Sequence, residues 1–217
     1  VRKGEKIYVR AFFFVALSIL SACDTFPMTP SEFEGALERA PLVNQSMSDA
    51  WVTADDAELV LEKALGPVRE QRILLTNRTA LPGENMIILR AHGKELATMG
   101  RFQPLSLISS EGTPFPFERF NQVSFRTVED ELGTMNYAVW TNQAQLNCVL
   151  VFRRLDAATR TVPVGFAVID MMMRNCILGT VEEALKPARP HAIGYAATAQ
   201  GSDGRPEMLS PLAGPQP

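Results

Sequence analysis

Residues 146–178 read LNCVLVFRRLDAATRTVPVGFAVIDMMMRNCIL. Two runs in this stretch, 146–155 and 162–173, are rich in β-branched, aromatic and other apolar residues, and the segment between them collects Asp, Ala, Thr and Pro. Such side chains suit a pleated, half-buried surface, while the intervening residues suit a connection, so the stretch predicts two antiparallel strands.

The cysteines at its two ends constrain how those strands pair. Cys148 and Cys176 remain as an even pair once Cys23 is assigned to another role. In an oxidising compartment a disulfide is the expectation, with two buried free thiols as the alternative. Closing the intervening segment would stabilise the fold by about 3–4 kcal/mol in chain-entropy terms. A turn at 156–160 centres the hairpin on Ala158 and sets Cys148 opposite Val168. Cys176 then lies about 26 Å away at strand rise, beyond disulfide reach. A direct cross-strand bond instead centres the connection on Val162. Pro163 then falls inside the connection, where its missing N–H does no harm. The second register is favoured; a third strand carrying Cys176 beside Cys148 also satisfies the bond.

Working outward, residues 72–77 (RILLTN) and 85–91 (NMIILRA) are β-rich and flank the turn signal Pro82-Gly83, which predicts a hairpin. Residues 105–109 and 137–141 read as further strands. Helices are predicted at 32–39, opened by a capping box at Ser31 to Glu34, and at 55–64, where Leu59 and Lys63 stand at i, i+4 spacing before Gly66-Pro67, with a lead into a strand as the alternative for 55–64. A short helix is also expected at 125–132, ending at Gly133, and another after the capping box Thr180 to Glu183. The reading is a single α+β domain, mostly antiparallel sheet with a few short helices, because strands outnumber helices and do not alternate with them. It spans 56–188. A lipidated tether occupies 23–55, and the Ala, Gly, Ser, Pro and Gln of 189–217 predict a disordered tail.

The N-terminal segment resembles a bacterial lipoprotein signal peptide, residues 1–22. Arg2, Lys3, Lys6 and Arg10 precede the apolar run AFFFVALSIL at 11–20. As a helix that run rises only about 15 Å, half of the roughly 30 Å hydrocarbon core, which argues against a permanent span. Leu20-Ser21-Ala22-Cys23 resembles the lipobox, in which small residues admit the backbone to the peptidase and the cysteine thiol accepts diacylglycerol. Cys23 is therefore the expected lipidation site, with membrane lipid, palmitate included, as its partner, since a single acyl chain binds only marginally. Asp24 resembles the residue that retains some lipoproteins in the inner membrane, which predicts a periplasm-facing protein of the cell envelope.

The net charge of −3 argues against nucleic-acid binding, which needs clustered Lys and Arg. The only histidines are His92 and His191, and no metal-ligand spacing, nucleophile elbow, P-loop or dinucleotide fingerprint occurs. No catalytic residue, cofactor or metal is predicted, and the chain is not expected to be an enzyme. The weighed exceptions are few. Glu129, Asp130 and Glu131 form an acidic run that could supply a general acid or base, with a solvated helix face the favoured reading. Asp170, inside an apolar run, is either buried and paired with Arg153 or Arg154 or faces solvent, and strand alternation favours solvent. The run 171–173 of three methionines reads as core or adaptable contact surface. Trp140, Phe115 and Phe117 could stack on a sugar, with core packing the simpler reading.

Residues 66–76 (GPVREQRILLT) and 81–85 (LPGEN), followed by a β-run, resemble the BcsN family of proteins associated with bacterial cellulose biosynthesis. Tyr137-Ala138, the β-run opening at Cys148, Met173-Arg174-Asn175-Cys176 and a helix at 180–185 extend the similarity over 66–186. The resemblance implies a non-enzymatic accessory role in cellulose or exopolysaccharide synthesis or export, with the cellulose-synthesis machinery in an envelope complex as partner. The alternative is a general envelope-assembly lipoprotein that binds proteins only. A hydrolase with a non-standard carboxylate site is a third reading.

Overall fold

The computed structural model describes residues 28–93, 101–108, 112–117, 119–142, 144–156, 160, 162–193, 198–200 and 206–208. The signal segment, Cys23 and Asp24 lie outside the described residues.

Helix α1, Pro30–Arg39, begins one residue after Thr29. Its capping box is Thr29 with Glu32, not Ser31 with Glu34: the Thr29 amide donates to Glu32 Oε2 at 2.8 Å, and the Glu32 amide donates to Thr29 Oγ1 at 3.3 Å. Proline at the first helical position fits, since that N–H would have no intrahelical partner.

Eight strands form one sheet in the order β1-β2-β3-β4-β8-β7-β6-β5, every neighbouring pair antiparallel. They are β1 Val43–Gln45, β2 Ala57–Leu65, β3 Val68–Leu75, β4 Asn85–Gly93, β5 Arg126–Asp130, β6 Gly133–Thr141, β7 Leu146–Asp156 and β8 Phe166–Leu178. The sheet consists of two four-stranded meanders joined where β8 pairs with β4. A mostly antiparallel sheet with a few short helices was expected, and the hairpin of β3 and β4 lies where the turn signal placed it.

Three elements differ from expectation. Residues 55–64 hold strand β2, not a helix. Gly66 (φ 55°) turns the chain with Pro67 so that Leu65 pairs with Val68 in a two-residue hairpin. Pairing with β3 overrides a helix preference worth only tenths of a kcal/mol per residue. Residues 125–132 hold strand β5. Gly133 (φ 88°) is the corner of its hairpin with β6 rather than the end of a helix. Pro104–Leu107 forms a 3-10 turn where a strand was expected.

The β7–β8 register places Cys148 opposite Cys176, as the favoured reading required. The two are bonded, with Cα atoms 4.0 Å apart. Pro163 lies in the connection.

Both faces of the sheet are covered. On one, Ile73, Ile87, Leu89, Val149, Val151, Ile169, Met171 and Met173 pack with Ala184, Leu185, Ala188 and Ile193 from helix α2 (Val181–Leu185), the 3-10 turn after it and helix α3 (Pro190–Ile193). Thr180 and Glu183 make the expected capping box for α2. On the other, Ile88, Leu150, Phe152, Met172 and the disulfide pack beneath Leu107, Phe117 and Phe120 of the long β4–β5 connection. The folded region exceeds the expected span of 56–188. Strand β1 lies within the stretch read as tether, and α3 lies beyond residue 188, with Ile193 buried as its apolar anchor. Strands β9 (Thr198–Gln200) and β10 (Pro206–Met208), in the stretch expected as disordered tail, pair with each other.

Candidate functional site

In a sheet, residues directly opposite one another share a face. Following the registers inward from β2 gives one row: Lys63 opposite Glu70, Glu70 opposite Arg90, Arg90 opposite Asp170, Asp170 opposite Arg154. The charges alternate strictly across five strands. Lys63, Glu70, Arg90 and Asp170 are all buried.

Glu70 gathers three cations. Lys63 Nζ lies 3.1 Å from Oε1, Arg72 Nε donates to Oε1 at 2.9 Å, and Arg90 donates to Oε2 through Nη2 at 2.9 Å and Nε at 3.1 Å. Burial pushes the Glu70 carboxyl up, but the charges of Arg90, Lys63 and Arg72 outweigh it and hold the group below the usual carboxylate range. Burial also lowers the Lys63 ammonium below its ordinary value, against the opposing pull of Glu70.

Asp170 is the second anionic centre. Arg154 grips it with both limbs of the guanidinium, Nε to Oδ1 at 2.6 Å and Nη2 to Oδ2 at 2.8 Å. His92 Nε2 stands 3.2 Å from Oδ2, within ion-pair distance but without hydrogen-bond alignment. Burial again raises the carboxyl, and the bonds from Arg154 and the contact with His92 outweigh it, so Asp170 also sits low. The expectation that Asp170 faces solvent is thus corrected: it is 3% exposed and paired with Arg154. Arg154 is half-buried and stacks over Phe102, 5.7 Å from the ring centre.

Adjacent arginines on a strand point to opposite faces, and Arg153 serves the other one. Fully buried, it holds Asp130 at 2.6 and 3.1 Å and donates to the Ala188 carbonyl at 2.9 Å. Asp130 therefore anchors the β5–β6 turn to the helical layer, whereas Glu129 is exposed and accepts from the Thr134 hydroxyl. Burial raises the Asp130 carboxyl less than Arg153 and the Leu132 amide lower it.

Of the aromatic residues considered for sugar stacking, Phe117 is buried, Trp140 is half-buried opposite Cys148, and Phe115 is exposed. The three methionines at 171–173 are all core, with Met172 on one face and its neighbours on the other. His191 is exposed on α3. A largely apolar cavity of about 350 Å³ is lined by Asp56, Thr76, Arg78 and the end of β8 at Cys176 to Leu178. It lies some six to eight residues along β8 from Asp170, roughly 20–25 Å at strand rise. Among the described residues no group of three or more His, Cys, Asp and Glu is placed to hold a metal ion.

The chemistry of the row follows from its pairing. A general acid needs a carboxyl held protonated near neutral pH. Glu70 and Asp170 are held ionised by arginine, an arrangement suited to fixing neighbouring strands and cations in place. Sequence reading passed over Lys63, Glu70, Arg72 and Arg90. Each is a charged residue interrupting an apolar strand, and only the register shows that opposite signs meet.

No protein-family model, curated protein or solved structure matches this chain.

Proposed function

We propose that the protein is a lipid-anchored accessory factor of the cell envelope, without catalytic activity of its own, acting in cellulose or other exopolysaccharide synthesis or export. The observation that carries the envelope part is the fully buried Cys148–Cys176 bond between the adjacent interior strands β7 and β8. Structural disulfides persist in oxidising compartments, so the bond supports export and agrees with the signal-like segment ending at Cys23. The similarity of residues 66–186 to the BcsN family supports the polysaccharide part. Partners on this reading are membrane lipid through Cys23 and a membrane-bound synthesis complex, with Asp24 favouring the inner membrane.

The test is deletion of the gene, with cellulose or other exopolysaccharide scored by dye binding, and complementation with wild type or Cys23→Ser. A glycan defect rescued by wild type and not by Cys23→Ser is the expected result. Unchanged glycan, in a strain and condition that produce it, would overturn the polysaccharide role and favour an envelope-assembly lipoprotein that binds proteins only.

A further inference from the structure

The described residues expose eight large apolar side chains, and three of them fall within six positions: Leu42 (39%), Val43 (56%) and Met47 (46%). They lie on and beside β1, the outermost strand. No charged residue occurs between positions 40 and 48. The opposite edge, β5, is built differently, with Arg126 and Glu129 both exposed within five residues. Charges of that kind keep a sheet edge from associating. Single exposed apolar residues are ordinary, but three within six positions, with no charged residue among them, are more than scatter and ask for a cover.

We propose that this edge rests on the bilayer surface, with Leu42, Val43 and Met47 entering the boundary between headgroups and acyl chains. The proposal rests on the reading of Cys23 as lipidated. From Cys23 to Leu42 the chain includes the ten residues of α1. Its reach is therefore at most about 45 Å, roughly one diameter of a domain this size. The patch is the first part of the sheet that the chain enters after the anchor. An anchored domain meets the surface at high effective concentration, so side chains too weak to bind a membrane alone suffice to orient it. Strand addition by a protein partner is disfavoured, because β1 offers only three residues of ladder.

The test uses the full chain purified with its lipid, carrying Val43→Cys labelled with an environment-sensitive fluorophore, in phosphatidylethanolamine–phosphatidylglycerol vesicles. The same label at Leu178→Cys, a site 66% exposed on another strand, is the reference. The expected result is blue-shifted emission and loss of quenching by aqueous iodide at position 43 only. Adding Leu42→Asp and Met47→Asp should restore quenching while circular dichroism stays native. Equal quenching at 43 and 178 in lipidated protein overturns the docking and leaves the anchor standing. Protection at 43 that appears only when envelope proteins are added overturns it in favour of a protein partner. An unlipidated N-terminal peptide, read by mass spectrometry, overturns the anchor and the docking with it.

Discussion

Asn85 is fully buried and uses both ends of its amide. Its Oδ1 accepts from the Cys176 backbone N–H at 2.8 Å and from Arg174 Nη1 at 3.1 Å, and its Nδ2 donates to the carbonyls of Cys176 and Thr76 at 2.8 and 3.1 Å. It replaces ladder bonds where β4 begins, next to the disulfide. Asn85→Ala leaves several of these groups without partners, and a buried unmet group costs about 1–3 kcal/mol. The expected loss is about 3 kcal/mol, read as a lower urea midpoint with unchanged m. Arg174, 1% exposed, donates to the carbonyls of Phe115 and Pro82 as well as to Asn85. Among the described residues it has no carboxylate partner, and burial lowers its guanidinium below the ordinary arginine range. Gly83 (φ 91°) lies against it: a Cβ there would come within 3.4 Å of the guanidinium carbon. None of this was legible in the sequence, where Asn85 reads as the residue after a turn and Arg174 as one more strand cation. Hydrogen-bond partners some 90 positions away follow from the pairing of β4 with β8, and from nothing local.

At the level of elements, two features hold the central strands in register. The first is the disulfide, which was legible as the favoured reading because a direct cross-strand bond between Cys148 and Cys176 centres the hairpin near Val162. Replacing both cysteines by Ala should cost about 3–4 kcal/mol by unfolding. A loss below about 1 kcal/mol would show that the bond adds little to a register already set by packing. The second is the charge row, whose energetics are asymmetric: a complete buried ion pair adds little, whereas removing one partner costs about 3–5 kcal/mol. Glu70→Gln takes a carboxylate away from Lys63, Arg72 and Arg90 at once and should fall in that range. The pH dependence has a definite sign. Glu70, Asp170 and Asp130 titrate below their ordinary values in the folded protein. As pH falls, the unfolded chain takes up these protons first, so stability is full above the ordinary carboxyl range and is lost as pH drops through the depressed values. Urea melts between about pH 7 and 2.5 should show this acid limb, shallower in Glu70→Gln. Helix α2 was legible from its capping box, a local device. Strand β2 was legible only as the alternative to a helix and β5 not at all, because their helix-forming and acidic residues outweigh their β character until neighbouring strands supply hydrogen bonds.

For the whole molecule, the expected behaviour follows from the N-terminal segment: wild type should fractionate with membranes and Cys23→Ser should not. Cell fractionation with an antibody checks this, and equal membrane retention of the variant would remove the lipid from the account. The sheet has a hydrophobic layer on each face, and the region it organises begins and ends outside the boundaries read from composition. Helix α3 joins the core through the buried Ile193, and the Thr53 amide donates to the Ala192 carbonyl, in a stretch that looked too polar to fold. Features written in local order were legible in the sequence: the antiparallel, strand-rich character, the β3–β4 and β7–β8 hairpins, the cap of α2, and a cysteine pairing favoured by arithmetic on residue numbers. What only the tertiary structure decided are the meeting of β4 with β8 and, through it, the row from Lys63 to Arg154 and the burial of Asp170. A charge on a strand carries no mark of whether it faces water or an opposite charge. That is settled by which strand lies beside it, and the neighbours of β4 and β8 come from distant parts of the chain.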